Sequence, residues 1–457
     1  MRPAPPQRVT DPAHASPPRA ISFAEAFRFW LKLGFISFGG PAGQIAIMHD
    51  ELVERRRWIS ENRFLHALNY CMVLPGPEAQ QLATYIGWLM HRTWGGIVAG
   101  GLFVLPSLFV LIALSWVYLA YGDVPAIAGA LYGIKPAVTA VVVFAAYRIG
   151  SRALQNGVLW AVAAAAFIAI FALHLPFPAI VLAAGVIGYL GGRLAPDKFR
   201  TGSAHASTAK RSAPALIDDS TPTPLHARFS WGRFSGVLVV GLAIWGGAMA
   251  FLVARSGWEG TLTQMAWFFT KAALLTFGGA YAVLPYVYQG AVEHYEWLTA
   301  PQMIDGLALG ETTPGPLIMV VAFVGFVGGW TRALAGPDAL FAAGAAAAAV
   351  ATFFTFLPSF VFILLGGPLV ETTHGELKFT APLTAITAAV VGVIVNLAVF
   401  FAYHVLWPAG FGGRFEWAAA ALGIGAAVAL FRFKAGIIPV IGACGAVGLA
   451  LRLAGVV

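Results

Sequence analysis

Charge is the scarcest property of this chain. Asp, Glu, Lys and Arg supply 11% of its 457 residues and hydrophobic side chains 59%, whereas soluble domains are roughly one-quarter charged. Mean hydropathy is +0.78. So few polar groups cannot wrap so much apolar surface against water, which excludes an ordinary soluble fold and points to an all-α polytopic membrane protein. Cysteine is almost missing. Cys71 and Cys444 stand in different halves, each inside an apolar stretch, a spacing that makes neither a disulfide framework nor a metal motif. Both read as small buried hydrophobes. The ten histidines have no metal-ligand spacing, so no metal is expected. No Walker-type glycine loop offers a site for ATP. No carboxylate, histidine or metal cluster marks one membrane face, as an enzyme acting on a phosphorylated lipid or sugar would need. The chain therefore reads as a non-enzyme without cofactors.

Basic residues outnumber acidic ones by 28 to 20, a net charge of +8. They form no stripe interleaved with aromatics, which argues against nucleic acid. They gather in the N-terminal tail, short loops and a central linker, the pattern that orients a protein in a membrane. Residues 1–21 are proline-rich and lack the apolar run of a signal peptide, so a disordered cytoplasmic tail is expected there.

What the chain does have is a repeat. Lys32, Phe38, Gly39, Gly40, Val53, Glu54, Trp58, Leu68, Pro75, Gly76 and Pro77 return without a gap 239 residues later. Their mates are Lys271, Phe277, Gly278, Gly279, Val292, Glu293, Trp297, Leu307, Pro314, Gly315 and Pro316. Leu105-Pro106-Ser107 likewise returns as Leu357-Pro358-Ser359. At about 20 apolar residues per crossing, the first repeat (22–192) offers spans at 22–47, 63–90, 96–120, 126–147, 157–173 and 176–192. The second (262–455) offers them at 262–289, 301–329, 339–366, 380–405, 415–431 and 436–455. Residues 193–234 form a basic linker expected in the cytoplasm, carrying Arg193, Lys198, Arg200, Lys210, Arg211, Arg228 and Arg233.

An extra apolar run at 235–254 would start the second repeat on the opposite side. The result is about 13 transmembrane helices as two inverted homologous repeats with broken helices. With the N-terminus inside, Arg92, Arg148, Arg152 and the linker fall in the cytoplasm. Arg55, Arg56, Arg57 and Arg63 then fall outside, against the positive-inside rule.

Each repeat carries, in the same register, features that a membrane helix rarely tolerates. A lysine at a helix centre costs roughly 2.5–3.5 kcal/mol on insertion scales. Lys32 and Lys271, just ahead of the Phe-Gly-Gly turns, therefore either face a cavity and attract an oxyanion or snorkel to the interface. Gly39-Gly40-Pro41 and Gly278-Gly279 let a helix break and present free N–H groups at the positive end of the next segment, an anion site. Small residues also serve close packing. Pro75-Gly76-Pro77 and Pro314-Gly315-Pro316 unwind mid-helix, which is tolerated at membrane depth only where protein or a water-filled cavity meets the freed backbone.

Polar groups flank both breaks: Asn69, Glu78, Gln80, Gln81 and Thr84 in the first copy, Asp305, Glu311, Thr312 and Thr313 in the second, with Gln44 and Asn396 as further candidates. Glu78 and Glu311 are not mates, because Glu78 matches Leu317 and Glu311 matches Met72. A buried carboxylate carries a proton or pairs with a lysine such as Lys32 or Lys271, and both readings stand. Paired interruptions in two halves mark a transporter's binding site, here for an anion.

The stretches FGGPAGQIAIM (38–48), VERRRWISENRFLHALNYCMVLPGPEAQQLATYIGW (53–88) and KAALLTFGGAYAVLPYVYQGAVEHYEWLTAPQMIDGLALGETTPGPLIMVVAFVG (271–325) make the chain resemble the chromate ion transporter family. The likeness covers essentially everything but the tail and linker. It implies a long-chain, two-domain bacterial member in the cytoplasmic (inner) membrane. Such a protein would export chromate, driven by membrane potential or a proton gradient, and confer chromate resistance, with sulfate as a structural analogue. Implied partners are the chromate or sulfate anion, protons or another counter-ion, the lipid bilayer and, as an option, a second copy in a homodimer. The residues alone do not choose between two divalent tetrahedral anions. Ala280 replaces Pro41, Val283 replaces Gln44 and Leu317 replaces Glu78, so the two half-sites are chemically unequal.

Overall fold

Two pairs of short helices open each repeat, and long helices complete it. The structure, a computed structural model, describes residues 20–38, 40–199, 214–277, 279–372 and 380–456. Residues 1–19 of the expected tail, 200–213 of the linker, Gly39 and Gly278 lie outside the described residues. The first repeat runs α1 (Phe23–Ile36), α2 (Gly40–His49), α3 (Glu61–Val73), α4 (Glu78–Tyr121), α5 (Pro125–Ala153), α6 (Gly157–Phe171) and α7 (Phe177–Leu194), then a short α8 (Pro196–Phe199). α9 (Trp231–Ser256) leads into the second repeat, which runs α10 (Thr261–Leu275), α11 (Ala280–Tyr288), α12 (Ala300–Thr312), α13 (Val320–Thr331), α14 (Leu340–Thr372), α15 (Thr380–Leu406), α16 (Trp417–Phe431) and α17 (Ile437–Leu453). Among the described residues six helices, α4, α5, α7, α9, α14 and α15, are long and apolar enough to cross a membrane, and α6, α13 with its leading turn, α16 and α17 are shorter apolar ones.

Local chemistry sets the helix ends. The side chain of Ser22 accepts the Glu25 N–H at the start of α1, and that of Ser60 accepts the Arg63 N–H at the start of α3. Thr299 and Gln302 close a capping box on α12. On α9, Val239, Val240, Leu242 and Phe251 are all more than half exposed. Large apolar side chains pointing away from the protein along one side of a helix, opposite its buried Gly241, Met249 and Leu252, identify a lipid-facing surface.

The backbone repeats as faithfully as the sequence. A π-helical turn extends α2 over Asp50–Arg55 and another extends α11 over Gln289–His294, 239 residues apart. Arg57 and its mate Glu296 share φ 51°, and Gly40 and Gly279 have φ 67° and 94°. The second limb of α4, beyond a break at His91 and Arg92, lies against its own mate, α14. Trp116 near the end of α4 meets Phe341 at the start of α14, ring centroids 6.0 Å apart, while Gly100 faces Phe360. The two mates therefore run in opposite directions. α5 packs on α16 and α17, and α15 packs on α6 and α7, so each repeat lends its last hairpin to the other.

Four of the thirteen expected spans turn back instead of crossing. Arg56 at the end of the α2 unit lies over Phe29 of α1 and over Trp58, at 4.9 and 5.3 Å, so α1 and α2 enter and leave by one face. His91, at the end of the first limb of α4, meets the Ile21 carbonyl at 3.1 Å, so α3 and that limb do the same. The linker covers this face: Leu216 N–H donates to Arg57 O at 2.9 Å, Ser60 N–H to Ile217 O at 2.9 Å, and Asn62 to Asp219 at 2.6 Å. Arg55, Arg56, Arg57 and Arg63 thus share the linker face, contrary to the sequence expectation. Two turn-backs in succession restore the parity that one would have upset. On the far face, Arg332 after α13 donates to Tyr295 O at 3.0 Å, the corresponding closure of the second repeat.

Both cysteines are free and buried, as expected. Cysteines placed singly at the mates Arg55 and His294 should react with a membrane-impermeant thiol reagent from opposite sides, and one at Ser220 from the Arg55 side. Labelling of Arg55→Cys and His294→Cys from one side would refute the inverted arrangement.

Candidate functional site

The breaks are not satisfied within their own repeats. Gly76 N–H donates to Thr276 O at 2.7 Å, and Gly315 N–H donates to Ser37 O at 2.8 Å. Gly76 and Gly315 are mates, as are Ser37 and Thr276, so one bond is the symmetry copy of the other. Each straps the Pro-Gly-Pro of one repeat to the end of the first helix of the other. The N-terminus of α4 is thereby set against that of α11, and the turn at Leu317–Met319 that leads into α13 is set against α2. Each helix N-terminus carries roughly +0.5 of an elementary charge. Four of them meet in two pairs, an arrangement suited to an anion.

Only glycine fits at the straps. Gly76 and Gly315 have φ 131° and 100°. A Cβ at Gly76 would collide with Ser359 Oγ, and one at Gly315 would lie 2.7 Å from Ser107 Cβ. Gln44 Nε2 donates to Gly315 O at 2.5 Å and Gln81 Nε2 to Pro75 O at 2.8 Å, holding both loops from inside. Ser37, Gln44, Gln81, Ser107 and Ser359 are buried. Ser37 Oγ, Gln44 Oε1, Gln81 Oε1, Ser107 Oγ and Ser359 Oγ have no hydrogen-bond partner among the described residues. Each such group costs about 1–3 kcal/mol, and such a concentration marks a functional centre.

The other expected residues divide. Gly40, Pro41, Pro75, Pro77, Glu78, Gly279, Thr313, Pro314 and Pro316 join Gln44, Gln81 and the two strap glycines at the paired breaks. Gly39 and Gly278 lie outside the described residues. Glu311 is buried and accepts the Tyr281 hydroxyl. Thr312 and Thr313 bond back to Leu309 O and Gly310 O, each at 3.0 Å, finishing α12. Asn69 is exposed. Lys32 lies on the exposed side of α1 in a surface cleft with Glu25, Arg28 and Arg56, and Lys271 is 5.7 Å over the Trp267 ring. Among the described residues neither lysine pairs with Glu78 or Glu311, so that alternative for the carboxylates falls away.

Sequence reasoning passed over Ser37, Ser107, Ser359 and Tyr281, although the repeated Leu-Pro-Ser was a signal for two of them. It also missed two clusters that close the opposite faces. At the linker face Glu371 accepts the Tyr85 hydroxyl and lies 3.5 Å from Arg63, beside His66 at 3.1 Å from Val370 O. At the far face Asp305 accepts the Tyr118 hydroxyl at 2.9 Å and lies 3.3 Å from Lys135. His66 and Asp305 are mates, as are Val370 and Tyr118, so the two clusters occupy corresponding places with different chemistry. His49, Glu54 and Glu61 on the linker face hold possible ligand atoms within 4.8 Å of one another, but His49 and Glu61 already bond each other at 2.5 Å.

Both repeats match the chromate transporter family, over residues 24–189 and 263–449. The chain belongs to this family. It is 33% identical over 395 residues to a chromate transport protein of Pseudomonas aeruginosa, covering 85% of this chain and 83% of that one. It is 28% identical over 391 residues to a chromate transport protein of Cupriavidus metallidurans, 85% of this chain and 84% of that one. It is also 28% identical over 126 residues to the uncharacterized transporter YwrB of Bacillus subtilis, 28% of this chain but 64% of that one. No solved structure matches. This chromate transporter family member is a multi-pass membrane protein whose paired helix breaks are its candidate site.

Gly76→Ala and Gly315→Ala should each destabilise the protein by about 1–3 kcal/mol, read as a lower Tm in detergent. Because Ser359 Oγ is the nearest colliding atom, ahead of Gln81 Nε2, Ser359→Gly should recover part of the Gly76→Ala loss. Unchanged Tm in both single variants would show that the straps do not hold the breaks.

Proposed function

We propose that the protein is a secondary transporter that exports chromate across the bacterial cytoplasmic membrane, driven by membrane potential or a proton gradient, and so confers chromate resistance. One observation carries the reading. The two reciprocal straps bring four positive helix ends and unpartnered buried hydroxyls to the middle of a membrane protein, where a tetrahedral oxyanion replaces its hydration shell with backbone N–H and side-chain O–H donors. The names of the relatives favour chromate, and sulfate is the second reading because its shape and charge are the same. The linker face is assigned to the cytoplasm, since it gathers Arg55, Arg56, Arg57, Arg63 and Arg92 with the basic linker. Opening then alternates between the two corresponding clusters: Arg63–Glu371–Tyr85 holds the cytoplasmic side shut and Lys135–Asp305–Tyr118 holds the other.

In inverted membrane vesicles, labelled chromate should accumulate saturably, with inhibition by sulfate and collapse on adding an uncoupler. Sulfate flux without chromate movement would change the substrate, and silence for both would overturn the transporter reading. With Cys71 and Cys444 replaced by alanine, Glu371→Gln should raise the reactivity of Ser107→Cys to an impermeant thiol reagent from the cytoplasmic side. Asp305→Asn should raise it from the other side. Equal effects on both sides would exclude the two-gate assignment.

A further inference from the structure

The two half-sites share one backbone but not one chemistry. Where α4 meets α11, Glu78 Oε1 lies 3.9 Å from the point that a Cβ on Gly279 would occupy. Two residues along α11, Tyr281 donates its hydroxyl to the buried Glu311. Where the 317–319 turn meets α2, the mate of Glu78 is Leu317 and the mate of Tyr281 is Ala42. Among the described residues nothing lies within 4 Å of the corresponding point on Gly40. The polar groups there are neutral: the buried, unpartnered hydroxyls of Ser37 and Ser107, with Gln44 holding the loop through its Nε2.

We propose that the half-sites divide the work, the oxyanion binding at the neutral one beside Gly40, Ser37, Gln44 and Ser107, and Glu78 with Glu311 binding the coupled proton at the other. The inference rests on the anion occupying the paired breaks. Its logic is electrostatic. The positive ends of α4 and α11 are already met by Glu78, and a divalent anion placed beside that carboxylate would be repelled across a low-dielectric gap. Among the described residues the ends beside Gly40 face neutral hydroxyls and open space.

The carboxylates are equally constrained. The titratable groups that face Glu311 are Tyr281 of α11 and Arg148 of α5, and the one that faces Glu78 is Cys71 of α3. None makes an ion pair with either carboxylate among the described residues. A buried carboxylate without an ion-pair partner is relieved of its charge by taking a proton. A dianion arriving at the neighbouring half-site strengthens that tendency, and by reciprocity protonation favours the anion. A proton that travels with the dianion moves outward against an inward proton gradient, so on this division export is driven by the membrane potential acting on the net negative charge of the pair.

The test is calorimetric titration of the purified full chain with sulfate, and with chromate at mildly alkaline pH, in two buffers of different ionisation enthalpy. The wild type should take up protons as it binds either dianion. The Glu78→Gln/Glu311→Gln double variant should bind without proton uptake. Leu317→Glu, which puts a carboxylate in the neutral half-site, should weaken binding by roughly tenfold or more, as should Ser37→Ala with Ser107→Ala. In the latter pair, proton uptake per bound anion should stay as in the wild type. Proton uptake that persists in the double glutamine variant, or wild-type affinity in Leu317→Glu, would overturn the division. If the double variant does not fold, Glu311→Gln alone should lower the uptake, and undiminished uptake would count against the proposal. A wild type that binds neither anion would remove the transport reading itself.

Discussion

Two backbone hydrogen bonds, Gly76 N–H to Thr276 O and Gly315 N–H to Ser37 O, hold the architecture together. Breaking a helix inside a bilayer frees N–H and C=O groups that lipid cannot satisfy, each worth several kcal/mol if left alone. The Pro-Gly-Pro loops make the problem worse, since proline supplies no N–H and forces its neighbour out of helical geometry. Neither repeat contains the acceptor that its own glycine needs. The carbonyl comes from the end of α1 or α10 in the other repeat, so the Pro-Gly-Pro break of one half is satisfied by the helix end ahead of the Phe-Gly-Gly break of the other. A twofold relation follows from the same constraint, because two donors and two acceptors pair reciprocally across it, and the opposed directions of α4 and α14 make it an inverted one.

That constraint also accounts for the charge distribution. If 22–47 and 63–90 had crossed, the Arg55–Arg57 loop and the linker would have faced opposite compartments. Because both segments reach the strapped centre and return, Arg57 and Leu216 sit on one face and bond directly, at 2.9 Å. Hydropathy counts apolar length and carries no sign for direction, which is why the turn-backs were not legible although the breaks that cause them were.

The breaks themselves could be read because glycine and proline punctuate a helix wherever they occur, and because the repeat doubled every signal. Lys32 was harder. A lone lysine in an apolar run looks like a cavity charge, yet Glu25, Arg28 and Lys32 recur at three- and four-residue spacing. That is the polar stripe of an amphipathic helix, and α1 turns it outward beside Arg56. The serines were invisible for the opposite reason. Ser37, Ser107 and Ser359 are unremarkable residues whose importance lies in burial without a partner, a property of packing that no spacing rule records.

Symmetry by itself would give a molecule with no preferred state. Two identical repeats in opposite orientation yield inward- and outward-facing states that are copies of each other, equal in energy and in affinity, and direction in such a carrier comes entirely from the driving force. A preference between the states, and a site for a coupled ion distinct from that of the anion, require the mates to differ. The side chains do so in two places. At the faces, Arg63–Glu371 with Tyr85 stands against Lys135–Asp305 with Tyr118, so the two closures do not share one stability. At the centre, Glu78 stands against Leu317 and Gln44 against Val283, so the half-sites do not share one ligand. The backbone has kept its symmetry because the straps demand it. The side chains have been free to lose theirs, and on the proposed reading the loss gives the anion and the proton separate sites, so that the membrane potential acting on their net charge sets the direction of transport.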